Sequence, residues 1–77
     1  MSGEIPKPKP THGFRPHGGP FKGRSMEELA QDREGRAILA AHIPDQGKGR
    51  QKLALAWLSW GLQREVTIDD LDEIART

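Results

Sequence analysis

The chain has 77 residues, no cysteine, 34% hydrophobic and 5% aromatic residues, which suits one small soluble domain and excludes disulfide stapling and cysteine-ligated zinc. Twelve bases and eleven acids leave a net charge of +1, unevenly placed: residues 1–24 hold five bases and one acid, residues 25–77 seven bases and ten acids. The apolar runs are too short to span a membrane and the proline-rich start lacks the apolar centre of a signal peptide, so a cytoplasmic protein is expected.

Residues 1–20 form a basic Pro/Gly-rich arm, and residues 21–77 a small helical domain. Pro6, Pro8 and Pro10 alternate with Lys7, Lys9 and Thr11, which fixes φ, removes donors and favours extended chain. With Ile5, Phe14 and Phe21 as its sizeable apolar groups after Met1, the arm cannot offset its ordering entropy, and disorder is expected over at least residues 1–12. Phe14 and Phe21 are the groups able to pin its end to the body. Three readings of the arm stand open: a solubilising tail, a phosphate-contacting arm that orders on binding, and a proline-rich ligand for another domain.

Ser25-Met26-Glu27-Glu28 has the pattern of a capping box, and with Met26, Leu29 and Ala30 it predicts a first helix over about 26–32. Gly35 follows in the charged patch Asp32–Arg36, where a break or kink would cost little. Ile38, Leu39, Ala41 and Ile43 mark a second helical segment ended by Pro44. Residues 44–49 form a glycine-bearing loop.

The long helix follows over Arg50 to Leu62. At helical spacing Leu53, Ala56, Trp57 and Trp60 share one side, and Leu55, Leu58 and Leu62 the opposite side. Either this is a central rod covered on both sides, or the tryptophan stripe is offered to a partner. Thr67-Ile68-Asp69-Asp70 then caps a last helix whose Ile68, Leu71, Ile74 and Ala75 lie on one face. The 15 large apolar residues of 25–77 suffice for a core of three or four helices but not for a large pocket. The fold class is therefore mainly α.

Gly18 to Ser25 has the spacing of a phosphate-binding P-loop, with Arg24 in place of its lysine. That chemistry needs a preceding strand and a parallel sheet, for which the chain has no room. What survives is a weaker possibility: the amides at the first helix start, beside Lys22 and Arg24, holding one phosphate group. His12, His17 and His42 share no evident geometry, so no metal site is expected. Asp69, Asp70, Asp72 and Glu73 are acids at a helix start, where the macrodipole stabilises them.

Lys48, Arg50 and Lys52, with Lys22 and Arg24, would make one basic face if the two helix starts lie at the same end of the bundle; separate solvated charges are the alternative.

Phe21-Lys22-Gly23-Arg24-Ser25-Met26-Glu27-Glu28-Leu29-Ala30, followed by Asp32-Arg33-Glu34-Gly35 and Ile38-Leu39, resembles the small Lys-Gly-turn and helix module found at the C-terminal end of exodeoxyribonuclease X-like exonucleases and in small bacterial and phage proteins. Gly19-Pro20 stands where that family has Gly-Lys, and Ala40 and Ala41 stand near its late tryptophan. The resemblance implies a short extended ribbon before the first helix, bearing Phe14 and Phe21, and a role assisting nucleic-acid processing without nuclease activity.

The expectation is a non-catalytic accessory protein of phage or mobile-element type, without cofactor, that binds nucleic acid or a nucleic-acid-processing enzyme. Lys7, Lys9, Arg15, Lys22, Arg24, Lys48, Arg50 and Lys52 would supply the phosphate contacts. The alternative is an interaction or inhibitor module docking a larger protein through Trp57, Trp60 and Leu53. The sequence leaves the oligomeric state open.

Overall fold

Several helices begin where the sequence supplies an acceptor for amides that lack a partner in the first turn. In the computed structural model, which describes residues 4–9 and 15–76, α1 spans Met26–Ala30 behind Ser25, whose Oγ accepts from the Glu28 amide at 3.3 Å. The reciprocal half of the expected capping box is replaced: the Glu28 carboxylate takes Arg24 Nη1 at 2.7 Å instead. α2 spans Arg33–His42 behind Asp32, whose Oδ1 accepts from the Glu34 amide at 2.9 Å. The break between the two helices therefore falls at residues 31–32, not at Gly35, and α1 is shorter than the sequence predicts.

Pro44 sits in a 3₁₀ turn, Ile43–Asp45, where its missing N–H costs nothing and its fixed φ is compatible with the helical bend. α3, Lys48–Leu62, starts at Gly47 with no side-chain cap. It ends at Gln63, which adopts the left-handed conformation with φ 54°, and the Arg64 amide returns to the Ser59 carbonyl at 3.2 Å. The Ser59 hydroxyl then accepts from the Val66 amide at 3.0 Å, turning the chain back so that Val66 is buried. A 3₁₀ turn, Ile68–Asp70, leads into α4, Leu71–Ala75, with Thr67 and Asp70 forming a complete capping box.

α2 packs on α1, α3 and α4, so the bundle is built round it as much as round α3. The core holds Met26, Leu29 and Ala30 of α1, Leu39 and Ala40 of α2, Ala54, Trp57 and Leu58 of α3, and Leu71 and Ile74 of α4. Trp57, Leu29, Leu39, Ile43 and Leu58 are the largest fully buried side chains, each contributing about 1.5–3 kcal/mol by removal from water. The buried seam of α3 runs along Ala54, Trp57 and Leu58, with half-buried Gly61 continuing it, between the two stripes drawn from the sequence. Leu53, Leu55, Trp60 and Leu62 flank it half-buried.

Two glycines set the helix spacing. A Cβ at Gly35 would stand 2.5 Å from the Leu29 carbonyl oxygen, and one at Gly61 2.3 Å from that of Ala30. Gly35 is thus a contact point inside α2, not a hinge, and α1 is pressed between its two neighbours through their glycines.

Among the described residues no strand forms, and residues 17–23 make bends and turns where the resemblance implied a ribbon. Phe21 packs half-buried on the core, while Phe14 lies outside the described residues. Ile68 is 52% exposed, not part of the apolar face of α4, because the 3₁₀ turn rotates it away from the helical register. No described helix is long and apolar enough to cross a membrane.

Candidate phosphate-contacting surface

The eight bases singled out from the sequence divide into two groups. Lys7 pairs with Glu27 and its ammonium lies 5.7 Å from the Trp60 ring centroid; Arg24 pairs with Glu28; Arg15 Nη1 donates to the Gly23 carbonyl at 2.6 Å. Lys9, Lys22, Lys48, Arg50 and Lys52 are exposed and make no ion pair among the described residues.

Three of these five unpaired bases lie in the first turn and a half of α3. Its first turn holds no acid, whereas the first turns of α1, α2 and α4 carry Glu27 and Glu28, Glu34, and Asp72 and Glu73 respectively. Lys48, Arg50 and Lys52 therefore sit against the positive end of a 15-residue helix dipole, a placement unfavourable by about 0.3–1 kcal/mol per charge at low salt. A Cβ at Gly47 or Gly49 would have nothing within 4 Å, so the backbone there is open to approach. An anion at this end meets uncapped amides, the helix dipole and three cations together.

The start of α1 differs. Ser25 takes the Glu28 amide, Arg24 is held by Glu28, and Lys7 by Glu27. The phosphate-holding role that the sequence suggests for this helix start is thus met by the protein's own groups, and with no preceding strand among the described residues the P-loop spacing is a pair of turns at Gly19 (φ 82°) and Gly23 (φ 76°). The Arg24 guanidinium also holds the Glu28 carboxyl below its ordinary pKa.

Asp70 accepts from the Thr67 amide at 2.9 Å and from its hydroxyl at 3.2 Å, with Arg64 Nη1 at 3.7 Å. The Thr67 amide is the main cause of its lowered pKa. At least this member of the acidic cluster serves as a cap. His17 and His42 line one cavity with Pro16, Gly18 and Ile38, and His12 lies outside the described residues. No group of three or more His, Cys, Asp or Glu able to hold a metal occurs among the described residues.

The tryptophan stripe is not an exposed face. Trp57 is 1% exposed, its ring edge-on to Trp60 at 5.5 Å, and Trp60 is half-buried. This corrects the docking set Trp57, Trp60 and Leu53: Trp57 is core, a member of the same buried cluster as Ala30, Leu39 and Leu58. The arm crosses near Trp60 as well. The Gln63 side chain accepts from the Ile5 amide at 3.0 Å and donates to the Ile5 carbonyl at 3.2 Å, so residues 4–9 meet the body at the end of α3.

Sequence reasoning missed Arg33, Arg36 and Arg64, which converge on one cavity with Leu62, Glu73 and Ile74. The sequence places them in separate charged patches, and only the packing of the helices unites them. No family model, curated protein or solved structure matches the chain.

Proposed function

We propose that the chain is a non-catalytic, nucleic-acid-associated binding protein whose phosphate-contacting surface is the N-terminal end of α3, with Lys48, Arg50 and Lys52 as principal contacts, and with Lys9 and Lys22 as exposed cations on other segments that add to the attraction. The observation that carries this reading is the concentration of unpaired cations at the positive end of the longest helix, where they destabilise the protein alone and an anion relieves them. Lys7, Arg15 and Arg24 are engaged by the protein's own groups and contribute less. Contacts of this kind recognise a charged backbone without reading bases.

The test is fluorescence anisotropy of a labelled single-stranded oligonucleotide across a salt series. Binding should weaken with a slope near −0.7 per phosphate contact in log K against log salt. The triple variant Lys48→Gln, Arg50→Gln, Lys52→Gln should flatten that slope by about 2 units. Salt-indifferent binding, or an unchanged slope in the variant, would falsify the assignment.

A further inference from the structure

A second cationic site lies away from the start of α3. Arg33 and Arg36 on α2, Arg64 just past the end of α3, and Glu73 and Ile74 on α4 line a cavity of about 200 Å³ together with Leu62. Arg33, Arg36 and Arg64 line it against Glu73, a formal excess of two positive charges, part of which Asp70 offsets from 3.7 Å beside Arg64 Nη1. Arg36 is positioned by donation from Nη1 to the Ala30 carbonyl at 2.9 Å, which leaves its other N–H groups for a ligand. Arg64 is held only loosely, 3.4 Å from the Glu65 carbonyl and 3.7 Å from Asp70. Leu62 and Ile74 add apolar wall beside the charges.

We propose that this cavity binds a phosphomonoester: a terminal phosphate carried on an organic group that rests against Leu62 and Ile74. Excess positive charge and the number of N–H donors together favour such a ligand. A carboxylate offsets half of the excess, whereas a phosphomonoester carries about −1.5 to −2 at neutral pH and offers three acceptor oxygens. Planar guanidiniums brought together from α2 and from the turn after α3 match such a group in forked geometry, which lysines would not. Diester phosphates within a nucleic-acid backbone carry a single charge each and cannot enter end-on, so this site is separate in chemistry from the surface on α3 and stands whether or not that surface binds nucleic acid. Two sources share the chemistry: a free mononucleotide-like metabolite, or the 5′-terminal phosphate of a strand.

The experiment is calorimetric titration of the full chain with adenosine 5′-monophosphate, adenosine, and one short oligothymidylate with either a 5′-phosphate or a 5′-hydroxyl. The monophosphate should bind at least about tenfold tighter than adenosine, and the double variant Arg33→Gln, Arg64→Gln should lose about tenfold of that affinity. Both side chains are exposed, so the helical circular dichroism should persist; Arg36 is left intact because it also satisfies a core carbonyl. The triple variant at Lys48, Arg50 and Lys52 should bind the monophosphate as the parent does. A phosphorylated oligonucleotide that outbinds its hydroxyl form by a similar factor assigns the site to strand ends; equal binding of the two, with the monophosphate preference retained, assigns it to the small molecule. If the double variant fails to fold, Arg64→Lys replaces it, with about threefold weaker binding expected from loss of the fork. Equal affinity for monophosphate and adenosine, or full affinity in the arginine variants, overturns the proposal.

Discussion

Gly61 of α3 lies so close to Ala30 of α1 that a Cβ there would stand 2.3 Å from the Ala30 carbonyl oxygen, the same oxygen that accepts from Arg36. The atom in the way is backbone, so it cannot swing aside. Gly61→Ala should therefore destabilise the protein by about 1–3 kcal/mol despite the better helix propensity of alanine. Gly49→Ala, in the same helix but with open space around it, should instead stabilise by roughly 0.5 kcal/mol. Urea unfolding of both variants checks the opposite signs; stabilisation by Gly61→Ala would refute the close approach.

Gln63 holds a left-handed backbone conformation that costs a non-glycine residue about 1 kcal/mol, yet its side chain closes two hydrogen bonds with Ile5. Gln63→Gly should leave the body as stable as before, or up to about 1 kcal/mol more so, while releasing residues 4–9. Hydrogen exchange at the Ile5 amide is the readout. Unchanged protection there would mean that the glutamine does not tether the arm.

The two tryptophans should behave differently. Trp57→Ala empties a fully buried site and should cost about 3–5 kcal/mol, whereas Trp60→Ala, half-buried at the edge, should cost clearly less. In the single-tryptophan variants made with phenylalanine, iodide should quench Trp60 emission more readily than Trp57 emission.

Glu28 and Asp70 both have folded-state pKa values below their ordinary ones, through the Arg24 hydrogen bond and the Thr67 amide respectively. Their contribution to stability is therefore present above the ordinary carboxylate range and lost as pH falls through the folded-state values. Glu28 is exposed and Asp70 only half-buried, so the effect is small and screened by salt. Asp70→Asn keeps an acceptor for the Thr67 amide but cannot titrate, and should make the acid limb of a urea-midpoint-against-pH curve shallower. An equally steep limb would show that Asp70 is not among the groups responsible.

What the sequence determined by itself is what lies within four residues along the chain. Ser25 and the Thr67–Asp70 pair mark helix starts because a side-chain acceptor need only reach an amide two or three positions on, and the α3 helix is legible from its density of apolar residues. The mainly helical class follows from these signals. The buried side of α3 did not follow, since leucines and tryptophans surround most of its circumference and any seam was compatible with them. Packing decided it: Gly61 admits Ala30 at one contact, and that contact turns Ala54, Trp57 and Leu58 inward. Gly35 gave the wrong sign for the same reason, because a glycine that permits flexibility and one that permits close approach look alike until the neighbouring backbone is in place. The convergence of Arg33 and Arg36 with Arg64, and the capture of Ile5 by Gln63 58 positions away, belong to the tertiary structure alone: no local rule carries information over such separations, and both arise only where the end of α3 meets segments distant in the chain.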